Sequence, residues 1–219
     1  MINFFKKRHK DLPEFWNSYE KTFDKKIPNE LKSVRFVVLD TETTGFDYTN
    51  DRILCIGAIG LQNNTITIKD SLEIFVQQEH YNIESAEIHC ILKKGKIDRV
   101  SELEALQQLL TYLGNSVIIA HHTKFDITMI NRALERHGLP KLKNKTLDTD
   151  VLYRKSLLWT PLLDKKDHYT LDDLADKFNI SKEDRHTAVG DAYITAIAFQ
   201  KILNRMKYRK EPTLKDLFK

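Results

Sequence analysis

Val37-Val38-Leu39-Asp40-Thr41-Glu42-Thr43-Thr44-Gly45-Phe46-Asp47 is the stretch from which the rest of the chain is read. Phe36 to Leu39 forms a short apolar run of the kind a buried strand shows. It leads into two carboxylates, Asp40 and Glu42, spaced i, i+2, which an extended strand projects from one face. Gly45 then supplies a turn and lets the chain double back. Neighbouring carboxylates repel each other, and a divalent cation removes that repulsion. Acidic residues at strand ends are also common as plainly solvated groups, so the pair needs support from elsewhere in the chain.

The 219 residues suffice for one substantial domain with a short appendage. With 41% hydrophobic and 30% charged residues, the composition is that of a soluble globular protein rather than a disordered one. No apolar run approaches membrane-spanning length, and the N-terminus lacks the apolar segment of a secretory signal. The two cysteines, Cys55 and Cys90, have no metal-type spacing, and a reduced cytoplasmic setting is expected. The net charge of +4 is unevenly spread, with Lys6, Lys7, Arg8 and Lys10 near one end and seven basic residues from Lys201 onward. Basic ends around a more acidic middle suit a polyanionic partner, although solvated termini look the same.

Three segments follow from composition: an N-terminal helical extension over 1–32, a main domain over 33–205, and a basic tail over 206–219. The aromatic spacing of Phe15, Trp16, Tyr19 and Phe23 predicts an amphipathic helix over Leu12–Phe23, packed on the domain or reaching a partner. Ile53–Leu61 and Thr65–Val76 read as strands joined by Gln62-Asn63-Asn64, a hairpin signal. Ser101 to Glu104 is a capping-box pattern opening a helix to Leu113. A buried strand over Ser116–Ala120, helices over Asp126–His137, Leu171–Phe178 and His186–Asn204, and a short strand at Thr146–Thr149 complete the pattern. Strands first, then strands alternating with helices, predict an α/β fold with a mixed sheet flanked by helices.

Three further segments join the Asp40/Glu42 pair. Ile119-Ala120-His121-His122-Thr123-Lys124-Phe125-Asp126 places an acid at a helix start, where capping alone would also favour it. Thr146-Leu147-Asp148-Thr149-Asp150 is a second acidic strand end. In His186-Thr187-Ala188-Val189-Gly190-Asp191-Ala192 the His and Asp are five apart, so His186 falls in the loop before the helix and Asp191 inside it. An Asp among alanines in an apolar helix is costly unless paired or bound to metal.

Together, Asp40-x-Glu42, His121 with Phe125-Asp126, and His186-x4-Asp191 resemble the three motifs of the DEDDh 3′–5′ exonuclease family, and within it the DNA polymerase III epsilon-like (DnaQ-like) group. The resemblance spans roughly 34–204, and Ser85-Ala86-Glu87-Ile88-His89, Thr146–Thr149 and Leu171–Leu174 also match family segments. Thr187 stands where a tyrosine subclass would carry its Tyr, which leaves the histidine subclass. The run Thr41-Glu42-Thr43-Thr44-Gly45 favours the epsilon-like branch over oligoribonucleases, while His122, Cys90 and Leu92 depart from the usual Asn, Gly and Thr.

The resemblance implies a ribonuclease H-like fold, a five-stranded mixed sheet flanked by helices. It implies hydrolysis of phosphodiester bonds at DNA 3′ ends, in proofreading or repair, releasing nucleoside 5′-monophosphates. Two divalent ions, Mg²⁺ or Mn²⁺, would be held by Asp40, Glu42, Asp126 and Asp191. His186 would be the general base, its reference pKa of about 6.5 suiting that role. Thr43, Thr44, Glu84 and His89 would hold the terminal nucleotide, whereas Phe125 and His121 read as structural. The implied partners are single-stranded or frayed DNA 3′ ends, with RNA the alternative, and a polymerase subunit or sliding clamp, but no membrane. Thr213-Leu214-Lys215-Asp216-Leu217-Phe218 loosely resembles a clamp-docking peptide without its leading Gln. An exoribonuclease and a non-catalytic nucleic-acid-binding module remain the alternative readings, the second disfavoured by the complete motif set.

Overall fold

The computed structural model describes residues 12–79, 82–91, 97–157, 166–208 and 210–219, excluding the side chains of residues 83, 84 and 88. Five strands form one sheet: β1 (Arg35–Thr43), β2 (Ile53–Gln62), β3 (Thr65–Phe75), β4 (Val117–Ala120) and β5 (Thr146–Asp148). Their order is β3-β2-β1-β4-β5. The β1/β2 and β2/β3 pairs are antiparallel, and the β1/β4 and β4/β5 pairs are parallel. This is the mixed sheet that the sequence predicts.

The hairpin between β2 and β3 closes on Asn63 and Asn64, both in the left-handed region at φ 50° and 57°. Two consecutive residues of that kind match the right-handed twist of the flanking strands. The central strand β1 is covered on both sides, and its residues alternate between two cores. Val37 and Leu39 join one core with α1 (Glu14–Thr22), α3 (Glu102–Leu113) and α4 (Lys124–Arg136). Phe36 and Val38 join the other with α5 (Thr149–Ser156), α7 (Ala188–Lys207) and α8 (Leu214–Leu217). The even-numbered face of β1 is therefore the α7 face, and the odd-numbered face looks toward α4.

Helix α1 lies in the first core through Trp16 and Tyr19, both buried. Tyr19 fixes this contact by donating to Asn144 Oδ1 at 2.6 Å while accepting from the Lys143 N–H at 2.9 Å. The Ser101/Glu104 capping box starts α3 as the sequence predicts. A second capping box, Thr170 with Asp173, starts α6 (Leu171–Phe178). At the other end of the chain, α8 buries Leu214 and Leu217 in the second core and hangs from the Asn29 carbonyl through the Leu214 N–H at 2.9 Å. The leucines that a clamp-docking peptide would need free are thus packed inside the protein. Only Phe218 of that motif is exposed among its apolar residues.

Three helices go beyond the sequence reading: α2 (Ile83–His89), α5 and α8. Each is short; Asp148 alone caps α5, while at the start of α8 Thr213 pairs with Asp216, whose Oδ2 accepts from the Thr213 N–H at 3.0 Å. No described helix is long and apolar enough to cross a membrane.

Candidate active site

The alternation of β1 sets the geometry of the acidic residues. Asp40 and Glu42 continue the Phe36, Val38 face and so project toward α7. The first turn of α7 brings Asp191 to them. Asp40, Glu42 and Asp191 each offer a carboxylate oxygen, and these three oxygens lie within 4.8 Å of one another.

Two glycines make this approach possible. Gly57 on β2 is the register partner of Asp40. A Cβ at Gly57 would lie 2.2 Å from the backbone of Ala188 and Val189, so only a bare Cα lets the start of α7 settle over this point of the sheet. Within α7, a Cβ on Gly190 would lie 2.0 Å from the Asp184 carbonyl, so glycine lets the preceding loop fold onto the helix. Thr187, rather than His186, is the N-cap, and its hydroxyl accepts from the Gly190 N–H at 3.2 Å. Asp191 accordingly sits in the first helical turn rather than deep among the alanines. There the helix dipole favours its charge.

Asp126 reaches the site from the opposite side of the sheet. It lies in the first turn of α4, and its Oδ1 accepts from the Thr41 N–H at 3.0 Å and the Thr41 hydroxyl at 2.8 Å. Thr41 points to the α4 side because it has odd parity on β1. Its role in holding Asp126 is absent from the sequence reading, although the same alternation that pairs Asp40 with Glu42 contains it.

Burial and crowding keep this group of acids unusually basic. Burial, then the charges of Asp126, Asp191 and Glu42, push Asp40 well above the usual carboxylate range. Burial with Asp191 and Asp126 raises Glu42 to about 7. Burial also raises Asp126 to about 7 against the opposing Thr41 hydrogen bonds. Asp191 is raised by burial and pulled back by Arg185, which pairs with its Oδ2. Its other oxygen, Oδ1, is buried with no hydrogen-bond partner among the described residues. Three hard oxygen donors with one orphaned buried oxygen fit a divalent ion of the Mg²⁺ or Mn²⁺ type. A cation at that point would relieve the repulsion that burial intensifies.

His186 stands at the rim, exposed, with its backbone left-handed at φ 67°. Strained conformations of this kind at non-glycine positions cluster at functional sites. The proposed nucleotide contacts are placed unevenly. Thr44 is fully buried, its hydroxyl donating to Asp51 Oδ1 at 2.6 Å and accepting from the Arg52 N–H at 3.0 Å. The Thr43 hydroxyl donates to the Gly45 carbonyl at 2.7 Å. Both side chains therefore organise the loop after β1. His89 is buried, its Nδ1 accepting from the Ile91 N–H at 3.0 Å and its Nε2 without a partner among the described residues. Burial lowers its pKa. The Glu84 side chain and Leu92 lie outside the described residues.

Phe46, absent from the sequence reading as a site residue, is 83% exposed beside this loop and leans on Phe125 with ring centroids 5.6 Å apart. The signal available in the sequence is a bulky aromatic in a turn immediately after the acidic pair. His121, read as structural, has its Nδ1 2.9 Å from the Thr149 hydroxyl and is held by burial at about 4.

His122, Asp150 and His168 form a second convergent group, with ligand atoms within 4.8 Å of one another. Asp150 is already well served there. Its Oδ1 accepts from the Tyr169 N–H at 3.0 Å, and its Oδ2 lies 3.2 Å from His168 Nδ1 and 3.3 Å from Arg154 Nη2. Burial works to raise this carboxyl, but the Tyr169, His168 and Arg154 contacts outweigh it and hold it below the ordinary range. The geometry is that of a carboxylate whose two oxygens are already satisfied, one of them in part by an arginine.

With this arrangement in view, residues 37–199 match the family model for RNase T, described as exonuclease. The chain belongs to the exonuclease family. Among its relatives, a DNA polymerase III PolC-type protein of Clostridium perfringens is 32% identical over 207 residues, covering 92% of this chain and 13% of that one. The DNA polymerase III subunit epsilon of Aquifex aeolicus is 27% identical over 188 residues, covering 84% and 88%. The chain thus spans a small part of the PolC-type relative and most of the epsilon subunit. The crystal structure of E. coli Exonuclease I in complex with a dT13 oligonucleotide matches with a TM-score of 0.66 at 16% identity, over 80% of this chain and 42% of that one. The fold of this exonuclease-family chain is ribonuclease H-like, as the motif resemblance implies.

Proposed function

We propose that the protein is a metal-dependent 3′–5′ exonuclease of the DEDDh subclass, acting on single-stranded or frayed DNA ends. The observation that carries this reading is the meeting of Asp40, Glu42 and Asp191 oxygens within 4.8 Å, with Asp191 Oδ1 orphaned, in a chain of the exonuclease family. Asp40, Glu42 and Asp191 would hold a first Mg²⁺ or Mn²⁺, and Asp126 would support a second beside Asp40. Bound there, the ions supply positive charge to the attacking and leaving oxygens of an in-line phosphodiester displacement and make water a better nucleophile.

The chain's own residues do the rest. His186, exposed at the rim, takes the proton of the attacking water at its imidazole. Thr41 keeps Asp126 oriented through two hydrogen bonds. The loop organised by Thr43 and Thr44 presents the exposed Phe46 as a stacking surface for a terminal base, with His89 and Glu84 completing the nucleotide's surroundings. A stacked, unpaired end is what such a surface accepts, since a duplex terminus keeps its bases on each other.

The dT13-bound Exonuclease I and the epsilon subunit of DNA polymerase III support DNA as the substrate and a DNA polymerase as the partner class. A sliding-clamp contact through the C-terminal motif draws no support from the buried Leu214 and Leu217. The reading carries a cytoplasmic setting with it. We take 33–205 as the catalytic unit, with α1 and α8 as appendages packed on it.

The test is digestion of single-stranded DNA labelled at either end, beside an RNA oligomer of the same sequence. Stepwise shortening of the 5′-labelled strand, with immediate loss of label from the 3′-labelled strand as mononucleotide, is the expected result. Shortening from the 5′ end would reverse the direction assigned here, and faster digestion of RNA would move the substrate.

A further inference from the structure

Arg185 is the residue next to His186, and nothing in the proposed chemistry uses it. Its guanidinium nevertheless occupies a constrained place. Nε lies 2.9 Å from Asp172 Oδ1 and Nη2 lies 3.3 Å from Asp172 Oδ2, a two-pronged contact with the first turn of α6. The remaining nitrogen, Nη1, donates to Asp191 Oδ2. The arginine side chain is 16% exposed and that of Asp191 is 9% exposed, whereas Asp172 is half-exposed at its outer end.

Two functions are open to a cation in this position. One is a counter-ion that stands in for the metal charge and must be displaced; the other is a clamp that holds the carboxylate in the orientation that an ion requires. The distribution of contacts argues for the second. Arg185 takes one oxygen of Asp191 and leaves the other, Oδ1, buried and without a partner among the described residues. Its planar fork is also anchored from behind by Asp172, so it is fixed before any ligand arrives. Ligating carboxylates are commonly oriented by such outer hydrogen bonds, whose loss weakens metal binding.

We propose that Arg185 is a positioning residue: anchored on Asp172, it holds Oδ2 of Asp191 and so presents Oδ1 to a divalent ion. The same clamp ties α6 to the start of α7 across the loop that carries His186, which fixes the rim residue as well as the ligand. The inference rests on the carboxylate site proposed above. It extends the metal-binding machinery to two residues, Asp172 and Arg185, outside the ligand set.

The experiment is Mn²⁺ binding to the full chain without nucleic acid, followed by calorimetry and by the Mn²⁺ spin-resonance signal. Wild type, Asp40→Ala, Arg185→Gln, Arg185→Lys and Asp172→Asn are compared, with thermal melts to confirm folding. Arg185→Gln is expected to weaken binding by about 10–100-fold. Arg185→Lys, which keeps the charge but loses the fork, should recover part of that loss. Asp172→Asn should weaken binding less, and the Asp172→Asn, Arg185→Gln double variant should be no worse than Arg185→Gln alone. Tighter Mn²⁺ binding in Arg185→Gln would show a competing counter-ion and overturn the proposal, as would unchanged binding. Should Arg185→Gln fail to fold, the half-exposed Asp172→Asn carries the same test by itself. Wild type that binds no Mn²⁺, or Asp40→Ala that binds as well as wild type, would instead sink the carboxylate site and this inference with it.

Discussion

At the scale of single residues, one hydroxyl ties the central strand to α4. Thr41 donates twice to Asp126 Oδ1, and both residues are buried. Thr41→Val keeps the shape and the backbone bond but leaves a buried carboxylate with one donor fewer. We expect a loss of about 1–3 kcal/mol in urea denaturation, together with reduced activity because Asp126 is less well held. Unchanged stability would mean that the hydroxyl contributes nothing there. His186 is a different case, since it is exposed and supports no core. His186→Ala should lower kcat by about 10²–10⁴-fold while leaving Mn²⁺ affinity and the melting temperature near those of wild type. A fall in metal affinity instead would make His186 a ligand. These roles were unequally legible. The i, i+2 spacing of Asp40 and Glu42 gives their shared face directly. Arg185, in contrast, is one basic residue among 35 Lys and Arg, and only the fold brings it between Asp172 and Asp191.

At the scale of elements, the site depends on how closely the start of α7 lies against β2. Gly57→Ala places a Cβ 2.2 Å from the backbone of Ala188 and Val189, where no flexible side chain can yield. The helix start must lift away from Asp40, its register neighbour. We expect destabilisation of about 1–3 kcal/mol and a disproportionate loss of nuclease activity, because Asp191 moves with the helix. A variant with wild-type activity and stability would show that the approach is looser than this geometry. The strands and the long helices were readable from periodicity, and the hairpin from its two asparagines. Helices α2, α5 and α8 were not: α2 and α8, of seven and four residues, carry too few turns for a hydrophobic stripe to show, and α5 starts at Thr149, inside the segment that reads as strand. The contact at Gly57 was hidden for a different reason. A glycine inside an apolar strand signals close approach, but not of what.

At the scale of the whole molecule, four partly or wholly buried acids make stability depend on pH and on metal. Asp40, Glu42, Asp126 and Asp191 all have raised pKa values, with Glu42 and Asp126 at about 7. Between the ordinary carboxylate range near 4 and about 7, the folded chain holds protons that the unfolded chain has released. Stability from this group is therefore complete below about 4 and is lost as pH rises through about 7. Melts of the metal-free protein should show the melting temperature falling from pH 5 to pH 7.5. Asp40→Asn should flatten that fall, and added Mn²⁺ should raise the melting temperature most at the upper end, since binding only the folded state stabilises it. A metal-free protein that grows more stable across this range would contradict the electrostatics of the site.

We propose that this cluster of carboxylates is a divalent-metal site that cleaves phosphodiester bonds. The most direct measurement is release of mononucleotides from single-stranded DNA in Mg²⁺, in EDTA, and in EDTA followed by excess Mn²⁺, with wild type and Asp191→Asn side by side. Release is expected in Mg²⁺, none in EDTA, recovery with Mn²⁺, and loss of at least about a hundredfold, about 3 kcal/mol of barrier, in the variant. Release that persists in EDTA, or that Asp191→Asn leaves intact, would contradict it.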